Sequence, residues 1–542
     1  MLKVVPFMLA LAIGIQALPQ VHVGKTTVTG RVVSDEVEFF GGLPYAQPPL
    51  GALRLRKPIS KTQLGSLSYN ASSHGNACLQ PLRLPDPPPY SEDCLFVNIY
   101  RPKNTFSSAN LPVLFWTYGG AFTIGASDQS DGNDIVAHSI ARGTPIIYVN
   151  FNYRLGPLGF PQGQEADDHR ALNLGSHDQI AALQWVQANI RNFGGDRRKV
   201  TIFGKSAGAI LTSILWLNPQ VEKLARAAIF ESGAPNSPST FPAARNEPVW
   251  QNFVRTVPSC ANVSSSGHTF ACLQKAPTEE IAAAVRQTSF LLDDLPLWAP
   301  TVDSREDVYP DYVSRLYAKG KFSHLPFITG TNRDEGTIFA SQQALSEQGL
   351  EAMLLELHSP PTTTARGLNS TLKRILELYP EDPIVGSPYG TGTELFGLPP
   401  SYKRTGSLKG DLFFDAPRRQ LSQAAAKSGV KSYVYHFTHP QLNLTRTGVD
   451  HSAEIAFVYG QTPASDPVAQ NLSTVMMDYW ISFAVSLNPN DGKGVKRPEW
   501  PQYTTKDQVL LQLEGGNTTV VKDDYRKEQI EYLIRKSLVL HR

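Results

Sequence analysis

Net charge is almost absent from this chain: 50 Lys and Arg against 48 Asp and Glu leave +2 over 542 residues. So small an imbalance, with no basic-aromatic cluster and no polybasic tail, excludes electrostatic binding to nucleic acid and points to a neutral ligand. Cysteine is scarce too. The four present form two sequence-local pairs, Cys78 with Cys94 and Cys260 with Cys272. Neither pair has Cys-x-x-Cys spacing or paired histidines, which argues against a metal site. Of the three connectivities open to four cysteines, proximity favours two local disulfides. Closing the first loop would contribute about 3 kcal/mol through chain entropy. Gly/Ser-rich linkers, long charge runs and internal repeats are missing as well. A length that would allow roughly three or four domains therefore shows no boundary, and residues 18–542 read as one large domain.

Long apolar runs are limited to the N-terminus. Residues 1–17 carry Lys3, an apolar stretch from Val4 to Ile15 interrupted by Pro6, and Gln16-Ala17. This is the layout of a signal peptide cleaved near Ala17. No later run is long and apolar enough to span a bilayer, and the charged C-terminus lacks the tail that directs lipid anchoring. The expectation is a secreted protein with no transmembrane anchor. Six Asn-x-Ser/Thr sequons, at Asn70, Asn262, Asn369, Asn443, Asn471 and Asn517, fit that route. No motif specifies an oligomeric state.

What is present is a globular composition, 41% hydrophobic and 10% aromatic, with short β-rich runs between helical stretches. Core strands are expected at Val113 to Tyr118, Pro145 to Phe151, Val200 to Phe203, Ala227 to Phe230, Pro326 to Thr329 and Ser432 to Phe437. Between the second and third, residues 178–190 place Ile180, Leu183, Trp185, Val186 and Ile190 mainly at helical spacing. Such alternation predicts an α/β sheet with helices on both faces. Residues 339–430, rich in proline, glycine and amphipathic stretches, read as helical and loop insertions of the kind that wall a pocket.

One run carries the chemistry. Residues 193–208 lead an apolar strand, Val200 to Phe203, into Gly204-Lys-Ser-Ala-Gly208. Glycines at these two positions let a strand turn sharply into a helix and hold Ser206 exposed in a strained conformation, the nucleophile elbow. Gly-x-Ser-x-Gly alone arises by chance roughly 0.2 times in a chain so rich in glycine and serine, so its partners decide the matter. A serine needs a base, and the base an acid that holds its tautomer. The order nucleophile, acid, histidine leaves His436, His439, His451 and His541. His436 alternates inside an apolar strand and His541 is terminal, whereas His451 sits in a loop before an apolar helical run. For the acid, Gly330-Thr-Asn-Arg-Asp-Glu-Gly336 follows a strand, and the residues alone do not separate Asp334 from Glu335.

The chain resembles the type-B carboxylesterases, the family of cholinesterases and fungal lipases, from Phe39 to about Tyr503. Both family signatures are present, around Ser206 and at Glu92-Asp-Cys-Leu-Phe-Val-Asn-Ile-Tyr-Arg-Pro102. Further landmarks are residues 40–49, Asn152-Tyr-Arg-Leu-Gly156 and Trp500-Pro-Gln-Tyr503. The resemblance implies an α/β-hydrolase fold, a large mixed and mostly parallel sheet with helical insertions around the active site. It implies a triad of Ser206, Glu335 and His451, with Ser232 supporting it from behind. Tyr118-Gly-Gly-Ala-Phe122 matches the family's Gly-Gly-Gly segment, so the backbone N–H groups of Gly120, Ala121 and Ala207 are the expected oxyanion hole. Alanine keeps its N–H, so Ala121 in place of the third glycine removes no donor. The implied reaction, acyl transfer from a small-molecule ester to water, needs no cofactor. Some relatives keep the fold as binding proteins but lose the nucleophile, and this chain retains the whole set.

Two departures bear on substrate. Lys205 stands where the family has Glu, and Glu231 where Gln is common. A paired exchange predicts that Lys205 and Glu231 lie within ion-pair reach, since a buried lysine without a partner is costly. Loss of the carboxylate beside Ser206 makes choline esters poor candidates. The segment between Cys78 and Cys94 is an amphipathic lid in fungal lipases. Here it has only fifteen residues, among them Pro81, Pro85, Pro87, Pro88 and Pro89, and cannot form a multi-turn helix. An open site acting on dissolved or semi-soluble aryl, hydroxycinnamoyl or short-acyl esters is expected. The chain is similar to secreted basidiomycete esterases, a group that includes feruloyl esterases, versatile lipases and sterol esterases. Versatile lipase or sterol esterase is accordingly the alternative.

Overall fold

The computed structural model describes residues 18–81, 89–288, 298–305, 308–441 and 445–542. The expected signal peptide, Pro85, Pro87 and Pro88 of the Cys78–Cys94 segment, and Asn443 lie outside the described residues.

A single eleven-stranded sheet collects strands from across the chain. In chain order they are β1 (Arg31–Val32), β2 (Val37–Pro44), β3 (Phe96–Pro102), β4 (Leu111–Thr117), β5 (Ile147–Phe151), β6 (Gly195–Lys205), β7 (Ala227–Glu231), β8 (Phe327–Asn332), β9 (Ser432–Phe437), β10 (Val509–Leu513) and β11 (Thr519–Lys522). Their spatial order is β11-β10-β9-β8-β7-β6-β4-β5-β3-β2-β1. Pairing is parallel from β10 through β5 and antiparallel at both margins.

The six strands expected from the sequence stand side by side as the parallel centre, β5, β4, β6, β7, β8 and β9. Every residue of β5, β7, β8 and β9 is buried, the condition that makes parallel strands read as continuous apolar runs. Helices cover both faces. Helix α1 (Leu174–Asn189) buries Leu183, Trp185 and Val186. Helix α2 (Ala207–Trp216) leaves the end of β6 and packs on β6 and β7. In the 339–430 region, α3 (Pro400–Gly410) and α4 (Ala416–Lys427) flank a π-helical turn at Asp411–Asp415. That turn joins Leu350, Leu354, Leu372, Ile375 and Ile530 in a second apolar cluster beside the main core. Helix α5 (Pro467–Ser486) packs on β4 and β6.

Disulfides join Cys78 to Cys94 and Cys260 to Cys272. Asn70, Asn262, Asn369, Asn471 and Asn517 are exposed.

Candidate active site

The turn from β6 into α2 admits only glycine at two places. A Cβ on Gly208 would lie 2.0 Å from the Thr117 carbonyl oxygen, and one on Gly204 would lie 2.7 Å from both that oxygen and the Gly208 carbonyl carbon. Between them Ser206 takes φ 56° and ψ −128°, a conformation that costs a non-glycine residue about 1–3 kcal/mol. Its backbone is pinned by the Ser206 N–H to the Glu231 carbonyl at 2.9 Å and by the Ile210 N–H to its own carbonyl at 2.9 Å.

Two loops converge on its hydroxyl. His451 Nε2 lies 2.7 Å from Ser206 Oγ, and His451 Nδ1 lies 2.5 Å from Glu335 Oε2. The other carboxylate oxygen, Glu335 Oε1, accepts the Asn332 N–H at 2.7 Å. Aromatic rings close on the imidazole, Phe414 with its centroid at 4.6 Å and Phe339 at 5.2 Å. The other late histidines have different surroundings. His436 stacks on Tyr525 with ring centroids 4.6 Å apart, His439 Nδ1 accepts the Gly515 N–H, and His541 Nε2 contacts the Pro360 carbonyl.

Glycine again permits a close approach opposite the elbow. A Cβ on Gly119 would meet the Lys205 carbonyl at 2.7 Å and the Ser206 Cβ at 2.9 Å, so the Tyr118–Phe122 loop lies directly against the serine. Gly120 has φ +111°, while Ala121 and Phe122 adopt φ 52° and 63°. Among the described residues no backbone carbonyl accepts the N–H of Gly120, Ala121 or Ala207. Backbone N–H groups without a backbone acceptor are the type of donor that stabilises a tetrahedral oxyanion.

Behind the site lies a buried acidic group. The Ser232 hydroxyl donates to Glu454 Oε1 at 3.4 Å and also lowers the Glu335 pKa, which puts it between the two carboxyls. Burial raises Glu335 to about 8, opposed by Ser232 and the Asn332 N–H. Burial and then the Lys205 cation hold His451 well below the ordinary imidazole value, against the pull of Glu454. The lowered value favours the neutral imidazole, the form able to accept a proton at Nε2.

The expected Lys205–Glu231 pair does not form. The two are cross-strand partners in the β6–β7 register, but no ion pair joins them among the described residues. Glu231 Oε1 instead accepts the Trp480 indole N–H at 2.6 Å. Burial, reinforced by Glu454, raises the Glu231 pKa well above the usual carboxylate range, opposed by the Trp480 hydrogen bond and by Lys205. The Lys205 ammonium donates to the Ser452 hydroxyl.

Sequence reasoning missed Ser452, Glu454, Phe339 and Phe414. Only the neighbourhood of His451 could have flagged the first two, and nothing in the sequence pattern marks the phenylalanines.

Sheet order, elbow and a Ser-His-Glu contact chain together define an α/β-hydrolase. A family model described as "Carboxylesterase family" matches residues 17–533, and the chain belongs to that family. Lipase 1 of Geotrichum candidum is 32% identical over 97% of this chain and 97% of its own length. Secreted lipase 1 of Botryotinia fuckeliana is 34% identical over 92% of this chain and 89% of its own. The crystal structure of Aspergillus niger EstA superposes with a TM-score of 0.83 at 25% identity, covering 97% of this chain and 99% of that one. The activity that goes with the family is carboxylic ester hydrolysis.

Proposed function

We propose that the protein is a secreted ester hydrolase working through an acyl-enzyme on Ser206. The observation that carries this reading is the unbroken contact chain from Ser206 Oγ through His451 to Glu335. His451 Nε2 takes the hydroxyl proton as Oγ attacks the ester carbonyl, and Glu335 holds Nδ1–H and offsets the imidazolium that forms. The N–H groups of Gly120, Ala121 and Ala207 receive the oxyanion. His451 then returns its proton to the leaving alcohol, and water, deprotonated by the same imidazole, releases the acid. Ser206→Ala should abolish turnover with the fold intact, and an organophosphonate should label Ser206. Retained activity, or a wild-type protein that does not label, would overturn the reading.

The substrates proposed are dissolved or semi-soluble aryl, hydroxycinnamoyl or short-acyl esters, because the short, proline-rich Cys78–Cys94 segment lacks the length for a helical lid. Lys205 beside the nucleophile disfavours cationic alcohols such as choline. A versatile lipase or sterol esterase is the second reading, favoured by the relatives named as lipases at 32% and 34% identity. Hydrolysis rates of a sparingly soluble short-chain ester decide between them. Saturation below the solubility limit supports the first reading, and a jump on crossing it supports the second. Secretion through cleavage of residues 1–17 draws support from the relative named as a secreted lipase, and an N-terminus mapped near residue 18 on the exported protein would test it.

A further inference from the structure

Lys205 immediately precedes the proposed nucleophile, and Ser452 immediately follows the proposed base. Their side chains are joined directly, the Lys205 ammonium donating to the Ser452 hydroxyl. Ser452 adopts φ +97°, a conformation that glycine takes freely and a residue with a Cβ takes under strain. A serine under strain at such a position points to a use for its hydroxyl, and the ammonium is the group that contacts it. We infer that Lys205, through Ser452, is a positioning residue that fixes the elbow of Ser206 against the loop of His451. This rests on the reading of Ser206, Glu335 and His451 as the triad.

The surroundings support the assignment. Burial lowers the Lys205 pKa, and the carboxyls of Glu454, Glu335, Asp450 and Glu231, on β7, the acid loop and the base loop, oppose that shift and favour its ammonium form. Without a tie, the one remaining hydrogen bond between elbow and base loop among the described residues would be the Ser206–His451 contact itself, which must break and re-form in each cycle. The ammonium also faces His451, whose pKa is lowered by burial and then by the Lys205 charge, with Glu454 opposing. The tie therefore has two separable parts, a hydrogen bond that Ser452 supplies and a charge that Lys205 supplies.

The test uses Ser452→Gly, which relieves the backbone while removing the hydroxyl, together with Lys205→Met and the double variant. Ser452→Gly is expected to lower kcat and the rate of Ser206 labelling by an organophosphonate about tenfold, with KM and the acid limb of the pH profile unchanged. Lys205→Met should lose a similar factor and also move the acid limb upward, and the double variant should lose no more than Lys205→Met. If Ser452→Gly labels and turns over within about twofold of wild type, or if the two losses multiply, the tie has no positioning role. Should Lys205→Met fail to fold, Ser452→Gly alone decides. A wild-type protein that does not label at Ser206 would instead overturn the triad reading.

Discussion

Asp334 and Glu335, adjacent in sequence, serve opposite sides of one loop. Glu335 meets His451 Nδ1 at 2.5 Å, while Asp334 accepts the Val449 N–H at 2.9 Å and the Tyr389 N–H at 2.8 Å. The first carboxylate faces the imidazole, and the second ties down the segment that carries it. Glu335→Gln should therefore lower kcat by roughly 10³–10⁴-fold, through loss of the tautomer the base needs, with little change in stability. Asp334→Asn presents an amide N–H to backbone donors and should cost about 1–3 kcal/mol in urea unfolding, with a far smaller loss of kcat. Equal kinetic damage from the two variants would contradict this division.

The acid limb of activity should lie below the ordinary histidine value of about 6.5. In the proposed mechanism the reactive form of His451 is the neutral one. Its pKa is depressed by burial and by Lys205, so the neutral form persists as pH falls through 6.5 and is lost only once pH passes the lowered value. The kcat/KM profile of a soluble ester should then be flat from about pH 8 down to about 6.5. A midpoint at or above 6.5 would contradict the buried, Lys205-facing environment.

What could be read from the sequence follows from which interactions are local. The parallel strands β4 to β9 were legible because burial on both faces demands unbroken apolar runs. The marginal strands were not. Strand β2 carries Gly41 and Gly42 where its pairing with β3 slips between Phe40 and Leu43, and β3 buries Asn98 and Arg101. The elbow was legible because glycine spacing within five residues encodes it. Asp334 and Glu335 could not be separated by their chemistry, since the groups that distinguish them, Tyr389, Val449 and His451, lie more than fifty residues away. The ion pair predicted for Lys205 failed for a related reason: cross-strand register puts Glu231 beside it, but Trp480, on a distant helix, claims that carboxyl.

Gly120 sets a sharper condition on the donor loop than Ala121. A Cβ at Gly120 would lie 2.0 Å from the Ile124 carbonyl oxygen, and its φ of +111° suits no side chain. Gly120→Ala should displace the loop and lower kcat about 10²–10³-fold, the scale of one lost oxyanion donor, with circular dichroism unchanged. Ala121→Gly keeps the N–H and relieves the left-handed backbone at φ 52°, so its activity should stay within a few-fold of wild type. The opposite ranking would exclude these groups as the oxyanion donors.

Phe414 owes its contact with His451 to an irregular turn held at both ends by one arginine. Arg526 donates through Nε to Asp411 at 2.8 Å and through Nη2 to Asp415 at 2.7 Å, clamping the π-helical turn from which the ring reaches the imidazole. π-helical turns inside α-helices recur at functional sites because the extra residue re-aims a side chain. Here the side chain helps to keep water from His451, so Phe414→Ala should act on the imidazole as well as on packing. Stability should fall by about 3–5 kcal/mol, as for other buried phenylalanines. Phe414→Leu separates the two effects, because it fills most of the volume without a ring. If the ring matters to the base, Phe414→Leu should retain most of the stability and still show a higher acid midpoint in kcat/KM, since a better-hydrated imidazole protonates more readily. An unshifted midpoint in both variants would reduce Phe414 to core packing.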